Sequence, residues 1–356
     1  MERQIARYEG NSPVTSNKSV TVFGAYGHTG RFVVSELRQR GWTPVLSGCD
    51  PDKLNALGDV HPGLDLRPAR VDDPASLDRG LAGSAAVINC AGPFARTSAP
   101  VIEAALRAQI PYLDLAAEIE ANADTFEQYA NRAREAGILI VPAMAFYGGL
   151  GDLLATAAMG DWTITDEICI AYALSSWKPT LGTRATSEVA RQRRGGRRIV
   201  FSNHRMQFRT DDAPVVNWTF PPPIGTQVVV AEFTTADSVT IPRHLRTPEI
   251  RTYMTLAPLK DLDDPDLSPP PATDKTGRSA QTFLVEVVVR AGNQERRVVA
   301  KGRDIYAFTA PLVVEATRRV VSMRGKTAGV FAAGEIFDAR DFLKSLCPAH
   351  LSIEIQ

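Results

Sequence analysis

The sequence predicts a doubly wound α/β domain with a parallel sheet and a second, mixed α+β domain inserted before the C-terminal helices. Three observations carry the prediction. From Lys18 to Leu150, short apolar runs alternate with amphipathic stretches. The first apolar run passes into the first amphipathic stretch through a glycine-rich turn, GAYGHTG at 24–30. After Leu150 the texture changes to runs with period-two alternation, the pattern of a sheet with one wet face.

Residues 1–17 are polar and contain Gly10 and Pro13, which predicts a tether or short helix ahead of the fold. SVTVFG at 19–24 reads as a buried strand, 28–40 as a helix, TPVLSG at 43–48 as a strand, and 51–57 as a short helix. A short strand is expected within 65–73, and the nearly uncharged SAAVINCAG at 84–92 suits a strand covered on both faces. A helix at 98–108, a strand at 111–116, a helix at 121–136 and an apolar run at 137–146 complete the dinucleotide-binding domain, 18–150. A connecting helix at 151–160 opens a sheet-rich substrate domain, 151–304. Its expected strands are 163–174, 227–233, 249–256, 282–290 and 296–303, and its expected loops are PPPIG at 221–225 and the proline- and aspartate-rich 260–277. The C-terminal segment, 305–356, with a helix at 309–322, is expected to pack back on the first domain.

Composition excludes several classes. The 356 residues are 44% apolar and 22% charged, which argues against a mainly disordered chain. Lysine plus arginine and aspartate plus glutamate both number 40, so no global field favours nucleic acid or anionic lipid. Four widely spaced cysteines give no CxxC pair and no disulfide framework, and five scattered histidines give no metal-binding spacing, so no metal is expected. No apolar run approaches a membrane span, and the first residues lack the core of a secretion signal; the reading is a cytoplasmic protein.

Gly24, Gly27 and Gly30 lie between a buried strand and a helix, where absent side chains let a pyrophosphate approach the backbone and the helix N-terminus. Tyr26, His28, Thr29 and Arg31 are candidate cofactor contacts within the turn; His28 suits a structural or phosphate-side role better than catalysis. The end of the second strand should meet the adenosine ribose. Gly48 leaves room for a 2′-phosphate, Arg31 or Lys53 could supply charge, and Cys49 and Asp50 follow; an inward Asp50 would favour the unphosphorylated cofactor. NADP(H) is slightly favoured over NAD(H). Asp72 is either an adenine contact or a solvated loop residue. Ala91, Gly92, Pro93 and Phe94, after the fourth strand, are expected beside the nicotinamide.

These stretches together resemble the saccharopine dehydrogenase-like family of NAD(P)-binding reductases. The resemblance rests on residues 20–37, 44–57, 69–77, 87–94, 111–118, the Gly-Thr of LGTRATS at 181–187, and GRDIYAFTAPLVVEA with GVFAAGEIFDARDFL near the end. It implies a Rossmann-type domain interrupted by a mixed substrate domain, and hydride chemistry on substrates that include amino-acid-derived imines and lipid enoyl groups. It also maps Gly24, Gly27 and Gly30 to the pyrophosphate turn, 91–94 to the nicotinamide-side loop, and Asp114 to the acidic position after the fifth strand. Two departures stand out. Many relatives have Gly-Arg where this chain has Gly48-Cys49, and commonly Gly-Phe-Asp-Ser near Phe146-Tyr147-Gly148.

Since the cofactor supplies the hydride, the chain need only orient an acceptor and manage one proton. Tyr147 and Asp114, after the sixth and fifth strands, are the catalytic candidates. Glu118, Arg184, His204 and His244 are candidate substrate contacts, and the arginine-rich 191–198 reads chiefly as a solvated surface loop. The expected activity is NAD(P)H-dependent reduction of a small molecule, with an amino-acid-like imine ahead of an enoyl thioester on a carrier. A non-enzymatic NAD(P) sensor or scaffold is the alternative. A homodimer is the expected assembly, with no nucleic-acid partner.

Overall fold

The first strand shows why the chain folds as it does. In β1, Ser19–Phe23, Val20 and Val22 point to one face and pack on Val33, Val34 and Leu37 of α1, His28–Gln39, while Phe23 faces the opposite layer. A computed structural model describes residues 18–266 and 268–355; the expected tether 1–17 lies outside the described residues. The pattern continues through β2 (Thr43–Gly48), α2 (Pro51–Val60), β3 (Leu66–Pro68), α3 (Pro74–Leu81), β4 (Ala86–Asn89), α4 (Phe94–Ala108), β5 (Tyr112–Asp114), α5 (Ile119–Ala136) and β6 (Leu139–Val141). These strands pair in parallel in the order β6-β5-β4-β1-β2-β3, so the order in which strands are added reverses at β1 and β4, where ligand crevices form.

An irregular turn at Phe146–Leu150 leads into α6, Gly151–Met159, whose apolar residues lie in the same continuous core as Val22 of β1 and Val285 and Val298 of the second sheet. The second domain holds β7 (Glu167–Leu174), α7 (Leu181–Arg194), β8 (Arg198–Ser202), β9 (Arg205–Arg209), β10 (Val215–Phe220), β11 (Gly225–Ala231), α8 (Asp237–Thr240), β12 (Ile250–Thr255), α9 (Leu256–Lys260), β13 (Thr282–Ala291) and β14 (Gln294–Arg303). The arginine-rich stretch expected to be mainly a surface loop is largely ordered. It forms the end of α7 and the start of a hairpin, β8–β9, turned by Asn203 and His204, both with positive φ. Its period-two signal is obscured by arginines on the wet face. The strand β10 likewise follows no expected segment, since four of its six residues face solvent.

The C-terminal segment serves both sheets. Helix α10, Ile305–Ser322, packs along α1, and Glu315 accepts hydrogen bonds from Arg40 (2.9 Å) and Arg319 (2.8 Å). Strand β15, Gly329–Val330, pairs with β6. Helices α11, Ala333–Ile336, and α12, Ala339–Leu346, then return to α6, and β16, Leu351–Ile355, pairs with β14 in the second sheet. All four cysteines are free, and among the described residues no helix is long and apolar enough to cross a membrane.

Candidate functional site

The glycine turn is built by close backbone approach. Gly24 adopts φ +84°, and a Cβ there would stand 2.8 Å from the Ala91 nitrogen. A Cβ on Gly30 would lie 2.3 Å from the Gly24 carbonyl oxygen. These contacts lock β1, α1 and the β4 turn together. Gly27 is the N-cap of α1 and has no side chain to cap the first helical N–H groups, which remain for an anionic ligand. Beside them, the buried Nε2 of His28 has no hydrogen-bond partner, and burial pulls its pKa down.

At the adenosine end, the Tyr26 ring fills the space over Gly48 that the sequence reading kept for a phosphate: a Cβ on Gly48 would meet that ring at 2.6 Å. The Tyr26 hydroxyl lies 3.3 Å from Cys49 Sγ, and burial with this thiol contact pushes its pKa up to about 12. Asp50 is turned into its own helix, accepting from the Lys53 backbone N–H (3.1 Å) and pairing with the Lys53 ammonium (3.0 Å). Asp72 accepts from Nε and Nη2 of Arg70, both at 2.9 Å. Arg31 donates from Nε to the Tyr26 carbonyl at 3.0 Å.

On the opposite side of the sheet switch point, Asn89 shapes the β4 turn by accepting from the Ala91 N–H at 3.0 Å and donating to Thr97 and Tyr112. The Gly92–Pro93 bond is cis, and Phe94 opens α4. Glu118 serves as a capping group: its carboxylate accepts from the Phe94 N–H (2.6 Å) and the Ala95 N–H (2.9 Å). Helix α7 reaches this loop from the second domain. Its Thr186 Oγ1 would stand 2.9 Å from a Cβ on Gly92, and Arg194 and Arg193 pair with Glu120 (2.7 Å) and Asp124 (2.8 Å) of α5. A helix with no buried residue thus spans the two domains.

Asp114 and Tyr147 differ in kind. Asp114 is fully buried and committed, accepting from Tyr112 (2.8 Å), the Ala116 N–H (3.0 Å) and the Ala143 N–H (2.8 Å); burial raises its pKa against these bonds. It ties the ends of β5 and β6 together. Tyr147 is buried among Phe146, Tyr172 and Trp177, with ring centroids 4.9, 5.1 and 5.4 Å away, yet its hydroxyl has no partner. Burial holds its pKa well above the ordinary phenol value.

Two residues that sequence reasoning left without a role connect this phenol to the glycine turn. The Tyr306 ring meets His28 edge-on at 5.2 Å, and its hydroxyl accepts from Trp177 Nε1 at 3.2 Å and shares a 3.0 Å hydrogen bond with Thr183. Asp237, also missed, accepts from Tyr172 (2.7 Å), from Thr235 and from the Gly148 N–H (3.1 Å), and burial raises its pKa to about 6. Tyr306 sits in GRDIYAF, one of the stretches that carry the resemblance; Trp177 and Asp237 had no local signal beyond their residue type.

The expected substrate contacts do not gather here. Arg184 donates to the carbonyls of Leu262 (3.3 Å), Asp264 (2.5 Å) and Asp266 (3.2 Å). His204 is exposed in the β8–β9 turn. His244 is paired with buried Asp152 at 2.7 Å.

The parallel sheet, its switch point and the glycine cradle define a dinucleotide-binding α/β protein. Residues 20–141 match the family described as the saccharopine dehydrogenase NADP binding domain. It is similar to a probable mitochondrial saccharopine dehydrogenase-like oxidoreductase of Arabidopsis thaliana, 29% identical over 189 residues, covering 48% of this chain and 42% of the relative. It is also similar to a trans-acting enoyl reductase of Mycobacterium ulcerans, 27% identical over 133 residues, covering 36% of this chain and 32% of that protein. The chain thus matches less than half the length of either relative. Saccharopine dehydrogenase (L-Glu forming) of Saccharomyces cerevisiae superposes with a TM-score of 0.65 at 13% identity, covering 95% of this chain and 99% of that one, which shows the shared fold.

Proposed function

We propose that the chain is an NADPH-dependent reductase that delivers hydride to a planar, apolar acceptor, a conjugated C=C bond of an enoyl group. The observation that carries this reading is the line His28, Tyr306, Trp177, Tyr147, which runs from the glycine turn to a buried hydroxyl without a partner. The residues fit the dinucleotide, because the cradle at Gly24 and Gly30 admits no Cβ and the His28 nitrogen beside it lacks a partner. When bound, the nicotinamide supplies the hydride. The turn and the first N–H groups of α1 hold the diphosphate. The loop 91–94 orients the reacting end.

Tyr147, kept protonated by burial, donates a hydrogen bond to the oxygen that gains charge as hydride adds to the β-carbon. The proton that completes reduction at the α-carbon comes from solvent, since the buried Tyr147 hydroxyl has no partner through which to be reprotonated. Trp177, Tyr172 and Phe146 keep the surroundings dry. An amino-acid-like imine needs a cationic anchor for its carboxylate, and the arginine expected to provide one is bound to backbone carbonyls instead. The aromatic surroundings therefore support the enoyl acceptor over the imine. For the cofactor, Arg31, Lys53 and Arg70 are already bound to the Tyr26 carbonyl, Asp50 and Asp72, and NADPH is read ahead of NADH because a ribose 2′-phosphate could exchange with Asp50 and Asp72 for Lys53 and Arg70.

The test is oxidation of NADPH and NADH, followed by absorbance, with panels of enoyl thioesters, free and carrier-bound, and of keto acids with amines. Turnover of an enoyl thioester with NADPH is expected. Turnover confined to the imine panel would overturn the acceptor assignment, and tight nucleotide binding without any turnover would support a sensor.

A further inference from the structure

Away from the glycine turn, a cavity of about 260 Å³ opens where the segment before β13, the end of β14, the start of α10 and residues 348–352 meet. Its walls carry Arg278, Lys301, Arg303 and His350, with Phe308 and Pro348 as apolar surface. In a chain with equal numbers of acidic and basic residues, four basic side chains around one cavity are a local concentration of charge.

Three of the four have acidic neighbours, all at the margin. Lys301 pairs with Glu354 at 2.7 Å, Arg303 faces Asp274 at 3.5 Å, and His350 stands 3.9 Å from Glu36. Arg278 is partly buried and makes no ion pair with any described residue. Partial burial of a guanidinium without a counter-charge is unfavourable until an anion arrives to share its donors.

We propose that this cavity binds a small dianion, a phosphate ester or a dicarboxylate, with Arg278 as its principal contact. Arginine offers paired donors matched to an oxyanion, Lys301 can exchange the partly exposed Glu354 for the ligand, and Arg303, whose Nε donates to the Ser279 carbonyl at 2.7 Å and which also bonds Thr273, adds positive charge. A volume of about 260 Å³ is many times what one water needs and is enough for a metabolite-sized anion. No residue of the glycine turn or of the Tyr147 surroundings lines it.

The experiment is calorimetric titration of the full chain at low ionic strength with inorganic phosphate and, separately, with malonate. Saturable binding of one equivalent is expected for at least one of them, weakened about tenfold or more in Arg278→Gln and further in Arg278→Gln/Lys301→Gln, with melting temperatures unchanged. Binding of phosphate alone or malonate alone supports the site and fixes the ligand class. No saturable binding of either, or affinity undiminished by Arg278→Gln, overturns the proposal. A loss of folding in the double variant leaves the single variant to decide, because Arg278 supports no ion pair in the fold.

Discussion

Replacing Tyr147 with phenylalanine removes one oxygen and leaves the ring contacts with Phe146, Tyr172 and Trp177 in place. The hydroxyl is buried and has no hydrogen-bond partner. A buried polar group left unpaired costs about 1–3 kcal/mol, so its removal should leave the fold equally stable or stabilise it by roughly 1 kcal/mol. If the same hydroxyl meets the developing charge of the reaction, turnover should fall by about 10²–10³-fold while nucleotide affinity stays within about twofold. The two effects have opposite signs, and that separates a functional phenol from a packing one. Urea unfolding reads stability, fluorescence titration reads NADPH affinity, and absorbance reads turnover. A variant less stable by about 1 kcal/mol, or one with turnover within about twofold of the native chain, would refute the reasoning.

Three further outcomes follow from other parts of the molecule. In Gly30→Ala the new methyl would press on the Gly24 carbonyl 2.3 Å away, so the fold should lose about 1–3 kcal/mol and NADPH affinity at least about tenfold, read by urea unfolding and fluorescence titration. Cys49→Arg should raise the ratio of NADPH to NADH affinity by about tenfold through a guanidinium beside the ribose; an unchanged ratio would misplace the adenosine phosphate. For His244, burial lowers the pKa, but the charge and hydrogen bond of Asp152, helped by Glu335, raise it overall. Its stabilising contribution is therefore complete below the ordinary histidine value, about 6.5, and is lost as pH rises through the higher folded value. The urea midpoint should drop between pH 6 and pH 9, and the drop should shrink in His244→Asn.

The strands and helices of the first domain were legible because each requirement there is local. A parallel strand covered on both faces must be apolar along its length, as at Val20–Phe23 and Ala86–Asn89, and the turn between β1 and α1 admits only glycine where backbone meets backbone. The fold class and the nucleotide cradle could therefore be read from order and spacing alone. Partnership, in contrast, depends on residues far apart in the chain. Asp114 and Glu118 sit where a catalytic carboxylate would, yet buried backbone N–H groups from other segments claim their oxygens. Asp50 and Asp72 are turned away from a ligand by Lys53 and Arg70. Tyr306 meets His28 only because α10 packs along α1, nearly three hundred residues later in sequence. Sequence thus determined which backbone could cradle a diphosphate, since that follows from the lack of side chains. Only the tertiary structure decided which polar groups remain free, since a hydrogen bond already made within the fold withdraws its atoms from chemistry.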